Sequence, residues 1–228
     1  MIEIKGFLET SFVDWHGKLC SVLFLPYCNF RCPYCHNHPL ILHPERFPSI
    51  PLEDILRRLN SLKDWIDGVC LTGGEPTLHF DLSLLIGEIK RQGFLVKLDT
   101  NGSNPKMLEE LIDTGQIDFV SMDVKAPLDP YSYRRSAGLP INLNPILRSI
   151  EFLKSGKVEY QFRMTVVPEL HREEDIKTLA DQLRVGRRLV LQNFNPENPL
   201  NPLLKKMIPY DLEVLKEIEK KVQGVIPV

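Results

Sequence analysis

The sequence predicts an α/β fold in which helices cover a parallel sheet. Short β-rich segments alternate with stretches of helical period, the alternation occurs six times, and no low-complexity or repeated tract interrupts it. The periodicity leaves two closures open, an open doubly wound sheet and a full or partial barrel. In either closure the functional side chains belong at the carboxyl ends of the strands.

Six strands and six helices are predicted in alternation. The strands are expected at Cys20–Leu25, Gly68–Thr72, Leu95–Asp99, Phe119–Asp123, Glu159–Val167 and Arg188–Phe194. The helices are expected at Leu52–Lys63, Leu82–Arg91, Lys106–Thr114, Pro145–Ser155, Arg172–Leu183 and Leu212–Val222. Apolar residues recur at helical spacing in these helices, and Asp81 and Asp211 stand where an N-cap is expected.

Composition indicates one globular domain over residues 1–228. The chain is 43% hydrophobic and 25% charged, with a net charge of -2, which argues against nucleic acid as a partner. No apolar run approaches the roughly 20 residues that cross a bilayer, so no membrane association is expected. The first residues lack the apolar core of a signal peptide, which predicts a cytoplasmic protein whose five cysteines are ligands or core residues rather than disulfides.

Three of the cysteines form a cluster in the segment CNFRCPYCHNH, residues 28–38. Cys28, Cys32 and Cys35 supply three thiolates, whereas a structural zinc site needs four ligands. His36 or His38 could complete a zinc site, although both lie too near Cys35 to close a tetrahedron easily. Three thiolates also suit a [4Fe–4S] cluster with one iron left for a small molecule. The remaining cysteines, Cys20 and Cys70, lie on apolar strands and are predicted to be core residues.

Polar and glycine-rich segments follow the predicted strands. TGGEP follows the second strand at residues 72–76, DTNG ends the third at 99–102, and MDVK ends the fourth at 122–125. Arg163 interrupts the apolar fifth strand, and such a buried arginine needs an anionic partner. One such segment is an ordinary turn, but several at the same end of the sheet predict a binding site.

The CxxxCxxC spacing, followed one β–α unit later by TGGEP, resembles the signature of the radical S-adenosylmethionine (radical SAM) superfamily. With CHN, DTNG and MDVK added, the chain is similar to the glycyl-radical-enzyme activases from about residue 6 to residue 196. It is most similar to those that activate anaerobic ribonucleoside-triphosphate reductase. The resemblance implies a partial (β/α)6 barrel, open on one side.

The resemblance also implies roles for residues at matching positions. Cys28, Cys32 and Cys35 hold three irons of a [4Fe–4S] cluster, and S-adenosylmethionine chelates the fourth through its amino and carboxylate groups. Tyr34 and His36 flank the adenine or the cluster. The alternatives are core packing for Tyr34 and a surface turn for His36.

The strand-end residues are expected around the same ligand. Gly73, Gly74 and Glu75 meet the methionine amino group, because glycine admits a close ligand and a carboxylate accepts from an ammonium. Asp99 and Thr100 lie near the methionine carboxylate, with or without a bound cation.

The two later strand ends face the rest of the ligand. Asp123 and Lys125 flank the ribose and the carboxylate, and Arg163 pairs with the carboxylate. Strand-end caps or ion pairs are the alternatives for Asp123 and Lys125, and a structural pair with Asp123 or Glu75 is the alternative for Arg163.

The implied function is that of an oxidoreductase. It cleaves S-adenosylmethionine reductively and installs a glycyl radical on a partner enzyme, with flavodoxin or ferredoxin as the electron donor. Activation of another glycyl radical enzyme such as pyruvate formate-lyase, and a radical SAM reaction on a small molecule, are the enzymatic alternatives. The remaining alternative is a zinc-binding or electron-transfer module that has no catalytic activity. Two departures from the family pattern stand out: Pro26-Tyr27 replaces a glycine, and Asn195 replaces a histidine found in some activases.

Overall fold

The structure is a computed structural model that describes residues 2–224, so the predicted domain 1–228 extends beyond it at both ends. Seven strands form one sheet in the order of the chain. They are β1 (Gly6–Ser11), β2 (Cys20–Leu25), β3 (Gly68–Gly73), β4 (Leu95–Thr100), β5 (Phe119–Asp123), β6 (Glu159–Val166) and β7 (Leu189–Asn193). β1 is antiparallel to β2, and every later neighbour is parallel.

Eight α-helices accompany the sheet within residues 2–224. They are α1 (His38–Leu42), α2 (Leu52–Ser61), α3 (Leu82–Arg91), α4 (Pro105–Asp113), α5 (Pro130–Ala137), α6 (Leu143–Lys154), α7 (Glu173–Leu183) and α8 (Leu212–Gly224). None of these helices combines the length and hydropathy that a bilayer-spanning helix needs. All six predicted strands and all six predicted helices are present, with ends shifted by at most two residues. Three elements were not predicted: β1, α1 and α5.

The strand order decides between the two closures. A doubly wound sheet reverses its strand order, whereas β2 to β7 follow one another without reversal. Because every crossover is right-handed and leads to the next strand in the same direction, all the helices lie on one face of the sheet. The opposite face forms the concave interior of the barrel. The sheet runs from β1 to β7 without closing, so the fold is a partial (β/α)6 barrel with an added antiparallel edge strand.

Alternation along the strands separates an outer core from the barrel interior. Side chains such as Leu71, Leu98 and Phe162 point to the helices and are fully buried in the main core. A second cluster fills the amino end of the interior; it consists of Trp15, Cys20, Val22 and Cys70, and we call it the plug. Trp15 comes from the β1–β2 connection and reaches Phe119 at the start of β5, with ring centroids 6.0 Å apart. Cys20 and Cys70 are thus core residues, as predicted.

Candidate functional site

The carboxyl ends of the parallel strands and the cysteine loop after β2 enclose a cavity of about 270 Å³. Its lining includes every site residue that the sequence predicts: Cys28, Cys32, Tyr34, Cys35, His36, Gly73, Gly74, Glu75, Asp99, Thr100, Asp123, Lys125 and Arg163. Residues far apart in the chain therefore meet around one space. Their roles toward a ligand stay predictions.

The cysteine loop is held by backbone contacts at both ends. Tyr27, directly before it, has a left-handed backbone with φ of 64°, a region that glycine favours. The Arg31 amide donates to the Ala137 carbonyl at the end of α5 over 2.8 Å. A Cβ on Gly138 would lie 1.9 Å from the Arg31 carbonyl oxygen, so only glycine permits this contact. The loop is therefore clamped between the end of β2 and the end of α5.

The three thiols of the loop are largely withdrawn from solvent. Cys32 is buried, and Cys28 and Cys35 are half-buried. Burial raises the pKa of the Cys28 thiol to about 12 and that of Cys35 to about 11. Burial also raises the pKa of Cys32. These sulfurs are protonated at neutral pH when no metal is bound, so binding of iron has to expel their protons.

The donor set fits a [4Fe–4S] cluster. The Phe30 amide donates to Cys28 Sγ over 3.3 Å, and Asn101 Nδ2 lies 3.9 Å from the same sulfur. Hydrogen bonds of this kind stabilise a thiolate and tune the potential of a cluster. Within residues 2–224 no three His, Cys, Asp or Glu side chains converge on a single metal ion. A cluster does not require such convergence, because each thiolate binds a different iron.

Gly73 and Gly74 allow two backbone segments to touch. A Cβ on Gly74 would lie 1.8 Å from the Tyr27 carbonyl oxygen, and Gly73, with φ of 109°, packs against Leu25 in the same way. The Glu75 amide then donates to the Tyr27 carbonyl over 2.7 Å. Sequence reasoning explained the glycines by approach of a ligand, whereas here they bring β3 against the start of the cysteine loop. Their contact with a methionine amino group stays a prediction.

Glu75 is a buried carboxylate that joins two strand ends. Its Oε1 accepts from the hydroxyls of Thr77 and Thr100 over 2.6 and 2.7 Å, and its Oε2 accepts from the Asn101 amide over 2.7 Å. Burial raises the pKa of Glu75, and these hydrogen bonds oppose that rise. Since Oε2 accepts a single bond within the described chain, it retains capacity for one further donor such as an ammonium group.

A row of alternating charges crosses the floor of the cavity. Lys97 pairs with Asp99, and Arg163 bridges Asp99 Oδ2 and Asp123 Oδ1 over 3.0 and 2.7 Å. Lys125 Nζ donates to Asp123 Oδ2 over 2.9 Å. Burial raises the pKa of Asp123, but Arg163 and Lys125 outweigh burial and hold that pKa well below its usual range. Three cations face two carboxylates, so the row carries an excess of one positive charge.

The charged row bears on two expectations. The alternative partner expected for Arg163 was Asp123 or Glu75; the guanidinium contacts Asp123 together with Asp99, and not Glu75. A bound cation was considered beside Asp99. The carboxylates of Asp99 and Asp123 are already neutralised by protein cations, so neither needs a metal ion for charge balance.

Tyr34 and His36 both line the cavity but differ in exposure and in partners. Tyr34 is buried, its ring meets His171 edge-on at 6.3 Å, and its hydroxyl has no hydrogen-bond partner within residues 2–224. His36 is exposed, and its Nε2 donates to the Asn195 carbonyl over 2.6 Å. Asn195, the position of a histidine in some activases, is therefore a backbone partner of the loop.

Sequence reasoning missed three residues that hold the site together. Asn37 Nδ2 donates to the Gly73 carbonyl over 2.8 Å, and Asn101 contacts both Glu75 and the cysteine loop. Lys97, 1% exposed, anchors the charged row from within β4. The signal for Lys97 was present in the sequence, since it interrupts an apolar strand as Arg163 does. The two asparagines lie within the CHN and DTNG segments, but nothing in those segments indicated which contacts their side chains make.

Comparison with known proteins identifies the family. The model of the radical SAM superfamily matches residues 22–183. The chain belongs to the radical SAM superfamily. It is accordingly an enzyme, and its cofactors are a [4Fe–4S] cluster and S-adenosylmethionine.

Individual relatives cover nearly the whole chain. A Methanocaldococcus jannaschii protein named as a glycyl-radical enzyme activating enzyme is 36% identical over 95% of this chain and 90% of its own. The pyruvate formate-lyase-activating enzyme of Clostridium pasteurianum is 27% identical over 97% of this chain and 93% of its own. Streptococcus suis SuiB bound to S-adenosylmethionine shares the fold, with a TM-score of 0.67 at 20% identity. That match covers 89% of this chain and 48% of SuiB.

Proposed function

We propose that this enzyme installs a glycyl radical on a partner protein. The observation that carries the proposal is a loop of three thiols over a cavity whose floor has a positive excess, in a chain similar over 95% of its length to an activating enzyme. The unclosed side of the sheet supports a protein substrate, because a loop bearing the target glycine has to enter the barrel.

The residues of the cavity divide the work of cofactor binding. When bound, the [4Fe–4S] cluster supplies the electron that cleaves the sulfonium of S-adenosylmethionine. Cys28, Cys32 and Cys35 would hold three of its irons. Lys125 and Arg163, the two cations of the charged row that line the cavity, would attract the carboxylate of the ligand.

The remaining polar groups would orient the ligand. Glu75 Oε2, with its spare acceptor capacity, would accept from the ammonium group together with the backbone of Gly73 and Gly74. Asp99 and Thr100 would border the carboxylate, and Asp123 the ribose. The unpartnered Tyr34 hydroxyl and the His36 ring would flank the adenine or the cluster.

The first experiment tests the reaction class. The protein is reconstituted anaerobically with iron and sulfide, reduced with dithionite and given S-adenosylmethionine. We expect a brown protein that releases 5′-deoxyadenosine. A colourless protein with tightly bound zinc, or a brown one without this product, would exclude the proposal.

The second experiment identifies the partner. We propose anaerobic ribonucleoside-triphosphate reductase, on the resemblance of the motifs; pyruvate formate-lyase is the second candidate, favoured by two activating enzymes of that lyase among the relatives. Each candidate is incubated with the reduced enzyme and S-adenosylmethionine, and the glycyl doublet is measured by electron paramagnetic resonance. The doublet should arise on the reductase; a doublet on the lyase alone would select the second candidate. Product without a doublet on either points to a small-molecule substrate.

The physiological setting is part of the same proposal. We place the reaction in the cytoplasm, with a flavodoxin or ferredoxin as electron donor, and with neither nucleic acid nor membrane as a partner. Fractionation of cells followed by immunodetection checks the location.

A further inference from the structure

We propose that an arginine-lined pocket on the outer side of the cysteine loop is the docking surface for an acidic electron-carrier protein. We call it the arginine pocket; it is lined by Arg31, Pro33, Tyr131, Arg134, Arg135, Gly138, Leu200 and Asn201. The inference rests on the proposed function, since radical cleavage of S-adenosylmethionine consumes one electron per turnover.

The arginine pocket concentrates positive charge on a chain whose net charge is -2. Its volume is about 590 Å³, and Arg31, Arg134 and Arg135 are all exposed. None of the three forms an ion pair within residues 2–224, and no Asp or Glu of that part lines the pocket. Tyr131, 71% exposed, presents a flat ring beneath the Arg135 guanidinium at 5.8 Å. Unpaired arginines with an exposed tyrosine are typical of a surface that binds an acidic protein.

The arginine pocket shares its wall with the cysteine loop. Arg31 stands between Cys28 and Cys32, and its Nη1 donates to the carbonyls of Cys28 and Phe30, each over 2.7 Å. On the other side, the Asn201 amide donates to the Pro33 carbonyl over 2.7 Å. A protein seated in the pocket therefore contacts the backbone that carries the thiols, without entering the cavity where the ligand binds.

A second basic pocket shows that charge alone does not define the site. It is lined by Lys154, Arg184, Arg187 and Arg188 among others, and it lies at the start of β7, the end of the barrel away from the cysteines. An electron arriving there would have to cross the length of the sheet. This second pocket, lined by four cations against three in the arginine pocket, supplies a control of at least equal positive charge.

The step at the arginine pocket is a transfer of one electron. The reduced carrier loses one electron and the cluster held by the three cysteines gains it, with no atom exchanged. Electrostatic attraction between an acidic carrier and the arginines raises the rate of encounter and orients the carrier's redox centre toward the loop.

The test compares Arg134→Glu with Arg187→Glu in the reconstituted enzyme. Arg134 is suited to this because its side chain contacts none of the proposed cofactor-binding residues. Formation of 5′-deoxyadenosine is driven either by a reduced acidic flavodoxin below saturation or by dithionite. Binding of the oxidised flavodoxin is measured separately by calorimetry at low and high salt.

For Arg134→Glu we expect the flavodoxin-driven rate and the flavodoxin affinity to fall about tenfold at low salt, with the dithionite-driven rate unchanged. Arg187→Glu should match the parent enzyme in all three measurements, and Arg134→Lys should retain most of the affinity. High salt should weaken binding to the parent more than to Arg134→Glu.

Three outcomes overturn the inference. The first is equal loss in Arg134→Glu and Arg187→Glu. The second is flavodoxin binding unaffected by Arg134→Glu. The third is a glycyl-radical yield that falls with dithionite as reductant while flavodoxin affinity is unchanged, which assigns the pocket to the protein substrate. Failure of the parent enzyme with dithionite contradicts the proposed function instead, so the two failures are distinguishable.

Discussion

The two ends of the barrel interior are built from the same strands and have opposite chemistry. At the amino end the plug is apolar, with Trp15 packed against Phe119. At the carboxyl end a row of charges forms the floor of a polar cavity. β5 shows the contrast within one strand, since Phe119 opens it at the plug and Asp123 ends it in the charged row.

The difference shows that the charged row depends on the plug, because the plug excludes water from beneath it. Lys97 is 1% exposed because the plug lies beneath it and keeps water from the floor of the cavity. Ionic contacts are stronger where water is excluded, and an unpaired charge there is correspondingly costly. The amino end therefore contributes packing that stabilises the fold, and the carboxyl end carries buried charges, which cost stability and are the groups proposed to bind the ligand.

Substitution of a cysteine at the carboxyl end has the largest expected effect. The cysteines at the amino end provide the matched control. Replacing Cys32 by Ala should abolish formation of 5′-deoxyadenosine and lower the iron content after reconstitution, since it removes one of the three proposed ligands of the cluster. Replacing Cys70 by Ala should leave the product and the iron content intact and cost about 1 kcal/mol of stability. Iron analysis and product chromatography measure both. Equal loss of product in a folded Cys70→Ala enzyme would show that the ligands are misassigned.

A second pair of substitutions compares carboxylates at the two ends of β5. Asp123→Asn leaves Lys125, whose side chain is 13% exposed, without its only carboxylate within the described chain, and should lower the free energy of unfolding by about 3–5 kcal/mol. Asp118, just before β5, is about as exposed as Asp123, but within the described chain it pairs with one cation, Lys90, at 2.8 Å, and that side chain is 30% exposed. Asp118→Asn should therefore cost about 1 kcal/mol.

Urea unfolding measures both variants at neutral pH. The pKa of Asp123 is lowered in the folded protein, so its contribution is present above the unfolded value near 4 and is lost as pH falls toward the folded value. Equal costs for the two variants would mean that the floor of the cavity is as well hydrated as the surface.

Periodicity made most of the fold predictable, and the missing elements show where it fails. β1 is a half-exposed edge strand, and α5 (PYSYRRSA) has too few apolar residues to form a stripe. The sequence did hold a cue for α5, because Asp129 caps it ahead of Pro130, accepting from the amides of Tyr131 and Ser132. That helix anchors the cysteine loop, so an unpredicted element positions the most readily predicted motif.

The candidate site divides in the same way. The cysteines and the strand-end motifs can be recognised in the sequence because their residue types and spacing are unusual. Contacts such as the one between Gly74 and Tyr27 depend on the distance between two strand ends, which no local pattern encodes. His171 belongs to no motif in the sequence, and its full burial likewise depends on contacts between distant segments.

His171 supports the third prediction, which concerns pH. It lies at the carboxyl end, where its Nδ1 accepts from the Val167 amide over 3.0 Å and its Nε2 donates to Ser136 Oγ over 2.8 Å. Burial lowers its pKa from 6.5 to about 4. The unfolded chain therefore binds a proton that the folded protein does not bind, and stability falls as pH drops from 6.5 to 4. The loss due to this residue is about 3 kcal/mol.

Urea unfolding at a series of pH values tests this. His171→Leu should be less stable at pH 7, because two hydrogen bonds are lost, but its stability should change less between pH 6.5 and 4. An unchanged slope in His171→Leu would mean that His171 is protonated in the folded protein.

Tyr27 gives the smallest expected effect and tests the departure from the family pattern. Its backbone is left-handed, with φ of 64°, where a residue with a Cβ is strained by roughly 1–2 kcal/mol. The ring is half-exposed and lies 6.3 Å from His79, so removing it loses a modest contact. Both Tyr27→Gly and Tyr27→Ala remove the ring. Tyr27→Gly also relieves the backbone strain, whereas Tyr27→Ala retains that strain. Glycine also costs more backbone entropy on folding, by about 0.5–1 kcal/mol, so Tyr27→Gly should exceed Tyr27→Ala in stability by about 1 kcal/mol or less.

Thermal unfolding of the two variants measures the difference. If alanine is the more stable, the turn into the cysteine loop does not require a left-handed residue, and the glycine of the family pattern serves close packing instead.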